Sequence, residues 1–369
     1  MNRKIMTVCG PVEPEALGFT SMHEHILSDC TMFRGRRRNA AVIAGEKQPG
    51  VQDKLDLSNR SAVRHNITLL LDNLRLDDEE AMGNEVAAFR ENGGSAIVEV
   101  SAPGIRSSAE DVLALRRISE KTGVHIIAST GLYAEYSWPE AYRQMDFNGF
   151  TGYLRREIKQ GIGQTSILPG HIKAAYETPQ PHLEDYLRAA AHVSGETGLS
   201  LQVHLGPDIT PEEVRHNVIR PLLAGGCIPG KTILCHVQLL MGLLSLKELI
   251  NTPGRVPFNL SLHRELLEQG FILSFTPFGL EADDEPLGIA HYADWYILSG
   301  LAALLRDGYA EQLVIGNDVF TKLATRYGGG EGYCRLTDFV VPVLKECGFS
   351  SQDIDQLTVH NPRKILMYG

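Results

Sequence analysis

Eight short β-branched runs, each followed by a longer helical pattern, recur along the chain, and this alternation constrains the fold more than any other feature. The runs lie at 18–23, 95–101, 124–130, 171–175, 199–204, 231–236, 270–275 and 312–317. Strands separated by helices pair in parallel, and eight such units suffice to close a sheet on itself. Two of the intervening helical patterns end in Glu91-Asn92-Gly93-Gly94 and Lys121-Thr122-Gly123, where glycine takes the left-handed cap conformation and releases the chain into the next strand. No linker-like composition interrupts the series. Residues 1–369 are therefore expected to form a single α/β domain, a (β/α)8 barrel with long loops at the C-terminal ends of its strands.

Composition narrows the function classes. Hydrophobic residues make up 43% and charged residues 22%, as in an ordinary globular protein, and no apolar run is long enough to span a bilayer. Arg3 and Lys4 precede only the brief apolar stretch 5–9, which runs into Pro11, Glu13 and Glu15, so no signal peptide is readable and a cytoplasmic location is expected. The six cysteines, Cys9, Cys30, Cys227, Cys235, Cys334 and Cys347, lack paired spacing and read as reduced thiols. A net charge of −10 argues against nucleic acid or an anionic membrane as partner, because both require a basic surface. A small-molecule substrate is the expected partner.

The chemistry sits at the strand ends. His23-Glu24-His25 closes the first run, and alternation along a strand turns both imidazoles to one side while Glu24 points away. A His-x-His pair alone is weak evidence, since a chain of this histidine content shows one by chance about every second time. His204, His236 and Asp318, however, fall at the ends of three further runs, on the face where barrel enzymes place catalytic groups. Lys173, between Ile172 and Ala174-Ala175, adds a lysine in an apolar strand. An ammonium there costs several kcal/mol, on the order expected for any buried charge, so the amine should shift its pKa or react. It could take up carbon dioxide as a carbamate bridging two metals, or form a Schiff base as in a lysine-dependent aldolase; the neighbouring imidazoles favour the carbamate.

With these residues in place the chain resembles the phosphotriesterase-like branch of the amidohydrolase superfamily nearly end to end. The resemblance runs through Gly18-Phe19-Thr20-Ser21-Met22-His23-Glu24-His25, Gly123-Val124, Gly131-Leu132-Tyr133, Ile172-Lys173, His204, His236, Asn317-Asp318 and Asn361-Pro362-Arg363-Lys364. It implies that His23, His25 and Asp318 hold a buried metal, that His204 and His236 hold an exposed one, and that carbamylated Lys173 and a hydroxide bridge them. Zinc fits the ligand types, with manganese or cobalt as alternatives. The metals would activate the water and polarise the substrate, and Asp318 would act as both ligand and base. The same resemblance suggests a homodimer.

Substrate choice is written in the loops. The segment 29–61 carries Arg34, Arg36, Arg37 and Arg38 and would open onto the catalytic face, either presenting arginines to an anionic group or serving as a lid that excludes water. Tyr133 matches a tyrosine that in lactone-hydrolysing members lies near the hydroxide, or else it is an aromatic wall residue. The chain departs from those members at Thr276-Pro277-Phe278-Gly279, where they carry an Asp-Arg pair, and at Gly104-Ile105-Arg106-Ser107, where an acid is missing; Glu99 replaces a shorter acid. His171 reads as a hydrogen-bonded interior residue, and Trp138, His263 and His291 carry no assigned chemistry. The sequence therefore predicts a binuclear-metal hydrolase of a small ester, lactone or phosphoester, with the arginines favouring an anionic substrate. N-acyl amide hydrolysis is the nearest alternative. A lysine-dependent aldolase and a non-catalytic metal-binding barrel are the readings from other classes.

Overall fold

Strands rich in Ile, Val and Leu must be covered on both faces, and helices supply the outer cover. The computed structural model describes residues 3–34, 49–242, 251, 258–280 and 293–368. The eight expected runs are strands: β1 (Phe19–Glu24), β2 (Gly94–Glu99), β3 (His125–Gly131), β4 (His171–Tyr176), β5 (Ser200–Leu205), β6 (Thr232–Cys235), β7 (Ile272–Phe275) and β8 (Leu313–Ile315). They pair in chain order, every neighbour parallel. Beyond β8 the chain crosses to β1, where the Asp318 N–H donates to the His23 carbonyl at 2.9 Å and closes the barrel. The approach is so close that a Cβ on Gly316 would lie 2.8 Å from the His23 backbone, so glycine is required there.

The interior is layered. Met22, Ala96, Val98, Ile127, Ile233, Ile272 and Val314, contributed by six strands, meet in one cluster and fill the lower barrel. Below it the antiparallel hairpin of Ile5–Thr7 and Gly10–Val12 closes the N-terminal end, with the Val8 N–H donating to the Ile126 carbonyl at 2.9 Å. Above it the lining turns polar, with Lys173 level with Gln202 across the β4–β5 pair. Three of the helices around the outside start at side-chain caps. Asp78 caps Glu79–Glu91, Asp146 caps Phe147–Gln160, and Ser108 with Asp111 forms a capping box on Ala109–Thr122. Among the described residues no helix is long and apolar enough to cross a membrane.

The excursion after β1 is more ordered at its ends than a loop over 29–61 implies. Ser28–Asp29 pairs antiparallel with Arg75–Leu76, Thr31–Phe33 forms a short 3-10 turn, and Arg60–His65 is helical. The excursion therefore extends beyond Ser61 to Leu76.

Candidate metal centre

The C-terminal ends of five strands bring His23, His25, Lys173, His204, His236 and Asp318 together at the barrel mouth. His25 Nε2 lies 3.3 Å and His23 Nε2 3.6 Å from Asp318 Oδ1, while Lys173 Nζ lies 3.4 Å from His23 Nε2. The His236 ring packs between the others, 4.9 Å from that of His23 and 4.4 Å from that of His204, centroid to centroid. His25, His204, His236 and Asp318 line an open pocket, whereas His23 and Lys173 are fully buried beneath it. His25 and Asp318, which the resemblance assigns to the buried metal, thus line the pocket together with His204 and His236.

Local backbone conformation aims two of these side chains. The Cys235 thiol contacts Gln202 inside the barrel, so simple alternation would turn His236 outward. A left-handed backbone at His236, with φ 64°, breaks that alternation and swings the imidazole back into the mouth. Asp318 is also left-handed, with φ 53°. Such conformations cost about 1 kcal/mol or more for residues with a side chain, and they persist only where the surrounding structure enforces them.

Glu24 provides much of that enforcement at β8. It points away from the mouth, is fully buried, and accepts hydrogen bonds from Ser21 Oγ, from Asn317 N and Nδ2 at 2.8 and 2.9 Å, and from Val319 N at 3.1 Å. Residues on both sides of Asp318 are thereby tied to β1. Burial pushes the Glu24 carboxyl up to about 7, against the pull of these donors.

The electrostatics suit ligation. Burial first, and then the Lys173 charge, holds His23 well below the ordinary imidazole range, and burial with the neighbouring His204 holds His236 at about 3. Burial lowers His204 too, against the opposing pull of Glu177. Burial also lowers Lys173, which has no carboxylate within ion-pair distance among the described residues. For Asp318 burial works upward, but the hydrogen bond from His25 and the adjacent imidazoles leave it below the usual carboxylate range. Neutral imidazoles and an ionised carboxylate are the ligand forms that metals require.

Whether a cation fits is decided by the polar atoms left over. His23 Nδ1 and His236 Nε2 are buried with no hydrogen-bond partner among the described residues. Donor atoms of His23, His236 and Asp318 all lie within 4.8 Å of one another, and a divalent ion among them could satisfy His236 Nε2, whose burial otherwise costs about 1–3 kcal/mol. His236 and His25 are oriented from behind, with His236 Nδ1 on the Thr276 carbonyl at 3.1 Å and His25 Nδ1 on Ser101 Oγ at 2.9 Å. These residues fit divalent metal.

Other expected site residues divide sharply. Tyr133 lines the pocket, its hydroxyl 3.1 Å from His204 Nε2. Arg34 follows the Thr31–Phe33 turn and is exposed; the described lining residues include Phe33 but not Arg34. Arg36, Arg37, Arg38 and His291 lie outside the described residues. Arg106 turns inward, 3.5 Å from Glu99 and bonded to the carbonyls of Ser101 and Ser129. His171 is buried as expected, but neither ring nitrogen has a hydrogen-bond partner among the described residues. Trp138 donates to the Tyr133 carbonyl at 2.7 Å, and His263 faces the Val237 carbonyl at 2.8 Å. The sequence analysis misses Glu177, just past β4, which lines the pocket beside Tyr133 and His204. Its acidic type beside a Pro-rich turn gives no signal by itself.

The arginine hypothesis remains testable in solution. If Arg36, Arg37 or Arg38 binds an anionic group, replacing it with glutamine should raise KM for anionic substrates about tenfold more than for neutral analogues. Equal effects in steady-state kinetics would reduce the segment to a lid.

Comparison with known proteins gives matches over the whole chain. The sequence model of the Phosphotriesterase family matches residues 3–366. A protein named N-acetyltaurine hydrolase from Dictyostelium discoideum is 28% identical, the alignment covering 98% of this chain and 97% of that one. A phosphotriesterase-related protein from Nematostella vectensis is 29% identical, with 98% of each chain covered. Among solved structures, a resiniferatoxin-binding protein from Rhodobacter sphaeroides has a TM-score of 0.84 at 27% identity, covering 98% of this chain and 94% of that one.

Proposed function

This chain belongs to the phosphotriesterase family and is a hydrolase, and from that premise we propose that it cleaves a small ester, lactone or phosphoester at a pair of divalent metals. The observation carrying this reading is the convergence of four histidines, a lysine and an aspartate from five strands on one pocket floor. When bound, the metal pair supplies an activated water nucleophile and a Lewis acid for the bond to be cleaved. The proposal takes zinc as the ion, which the nitrogen-rich donor set suits, and takes Lys173 as a carbamate, which a buried amine of lowered pKa suits.

The side chains then have distinct tasks. His23, His25, His204, His236, Lys173 and Asp318 hold the ions. Asp318, ionised and at the pocket floor, accepts a proton from the attacking water and returns it to the leaving group. The Tyr133 hydroxyl, raised far above its ordinary range by burial and then by Glu177, stays protonated and lines the pocket with its hydrogen directed to Glu177. Phe33, Leu205, Leu239, Pro277 and Phe320 supply apolar walls that exclude water.

N-acyl amide cleavage is the second reading, supported by relatives named N-acetyltaurine hydrolase that align over nearly the whole chain at 28% identity. The same groups would attack an amide carbonyl. A zinc-loaded preparation assayed against lactones, phosphoesters and N-acyl amides separates the two. Chelator-sensitive turnover of an ester-class substrate is the expected result, and turnover confined to amides would establish the second reading. No turnover in any class with both metals bound would contradict both.

A further inference from the structure

The pocket contains a half-buried carboxylate for which the proposed hydrolysis has no task. Glu177 lies one residue past β4 with its side chain 15% exposed, on the same strand end as Lys173. Its Oε2 accepts from the Tyr136 hydroxyl at 2.8 Å and its Oε1 from the Tyr133 hydroxyl at 3.2 Å, and His204 Nε2 stands 3.4 Å from Oε1. Tyr133 Oη is also 3.1 Å from His204 Nε2. An acidic side chain, two tyrosines and one candidate metal-ligand histidine thus meet at one corner of the pocket.

We infer that Glu177 is a positioning residue that fixes the proton of His204 on Nε2, so that Nδ1 is the nitrogen offered to the exposed metal position. The hydrogen-bond inventory leads there. A carboxylate has only acceptors, so the ring nitrogen facing it must carry the hydrogen for the contact to be attractive. Tyr133 has committed its own hydrogen to Glu177, and its oxygen, facing the same nitrogen, is left as an acceptor as well. Both neighbours of Nε2 therefore demand N–H, and Nδ1 keeps the lone pair. His236 has the reverse arrangement: its Nδ1 faces the Thr276 carbonyl, another acceptor, and its Nε2 is buried with no hydrogen-bond partner among the described residues. The two histidines assigned to the exposed metal accordingly offer opposite ring nitrogens: the second nitrogen of His204 faces Glu177, whereas that of His236 faces the Thr276 carbonyl, with Asp318 Oδ2 3.9 Å away.

A histidine whose second nitrogen donates to a carboxylate is a more basic ligand with a locked ring, and losing such a partner typically weakens metal binding about 10- to 100-fold. Glu177 should therefore act on one metal and not on the other. Tyr136 holds Oε2 and sets the direction of the carboxylate, so it contributes at one remove.

The inference rests on the binuclear reading for its effect on metal, but its structural half can be measured without metal. The variants are Glu177→Ala, Glu177→Gln and Tyr136→Phe in the full chain; glutamine keeps an oxygen that can accept from Nε2–H. Long-range proton–nitrogen NMR on histidine-labelled, metal-free protein reads the tautomer of His204, and chelator competition reads the two zinc affinities in turn. The wild type should show Nε2–H at His204. Glu177→Ala should show a tautomer mixture and lose about 10- to 100-fold in one zinc affinity, with the other changed by less than about threefold. Glu177→Gln should recover most of the loss. An unchanged His204 tautomer in Glu177→Ala would overturn the inference, as would equal weakening of both zincs or of neither. A wild type that binds only one zinc would defeat the binuclear reading instead, and the tautomer measurement would still decide the role of Glu177.

Discussion

A Lys173→Ala variant should lose bound metal and turnover together, and added acetate or propionate with excess metal should restore part of both. The lysine is fully buried beneath the pocket, its Nζ 3.4 Å from His23 Nε2, among imidazoles that burial keeps neutral. Two dications held that close together repel strongly, and an anion between them offsets the repulsion. The proposed carbamate is that anion. Alanine removes it and leaves a cavity whose shape admits a small carboxylate presenting similar oxygens. A Schiff-base lysine would behave differently: small amines would rescue it, no metal would be needed, and borohydride with a carbonyl substrate would trap it. Full metal occupancy and normal turnover in the alanine variant, without added acid, would exclude a bridging role.

Asp318→Asn should reduce turnover by about two or more orders of magnitude while leaving the fold intact. The backbone of Asp318 is held in place by its N–H on the His23 carbonyl and by Glu24 on both flanks, and none of these contacts uses the carboxylate. Asparagine keeps one oxygen for a metal and for His25, but it cannot accept a proton. The loss should appear in kcat, should be largest for substrates with poor leaving groups, and should be accompanied by an unchanged circular dichroism spectrum. Undiminished turnover on a poor leaving group would place the base elsewhere.

The barrel is legible in the sequence because its signals are local: the period of the strands and the caps of the helices can be read from adjacent residues. His23 and His25 are legible for the same reason, since alternation within one strand fixes their common side. His236 is legible as a strand-end residue but not in its direction, because parity with Cys235 points it outward and only the left-handed backbone reverses it. Glu177 carries no local signal; within Tyr176-Glu177-Thr178-Pro179 it reads as turn chemistry, and its meaning arises from Tyr133, Tyr136 and His204, which the fold brings from elsewhere. Glu24 is similar. Alternation shows that it points away, whereas its bonds to Asn317 and Val319 cross nearly the whole length of the chain. What cannot be read is what depends on contacts between residues distant in sequence.

The central claim is that the barrel mouth holds two metals in one site built by six side chains. Elemental analysis of protein prepared with zinc and bicarbonate, then passed through a desalting column, tests it most directly. The account predicts a zinc content close to two per chain, falling together with activity on chelation and returning on re-addition. A content that stays near one per chain under saturating zinc would contradict it.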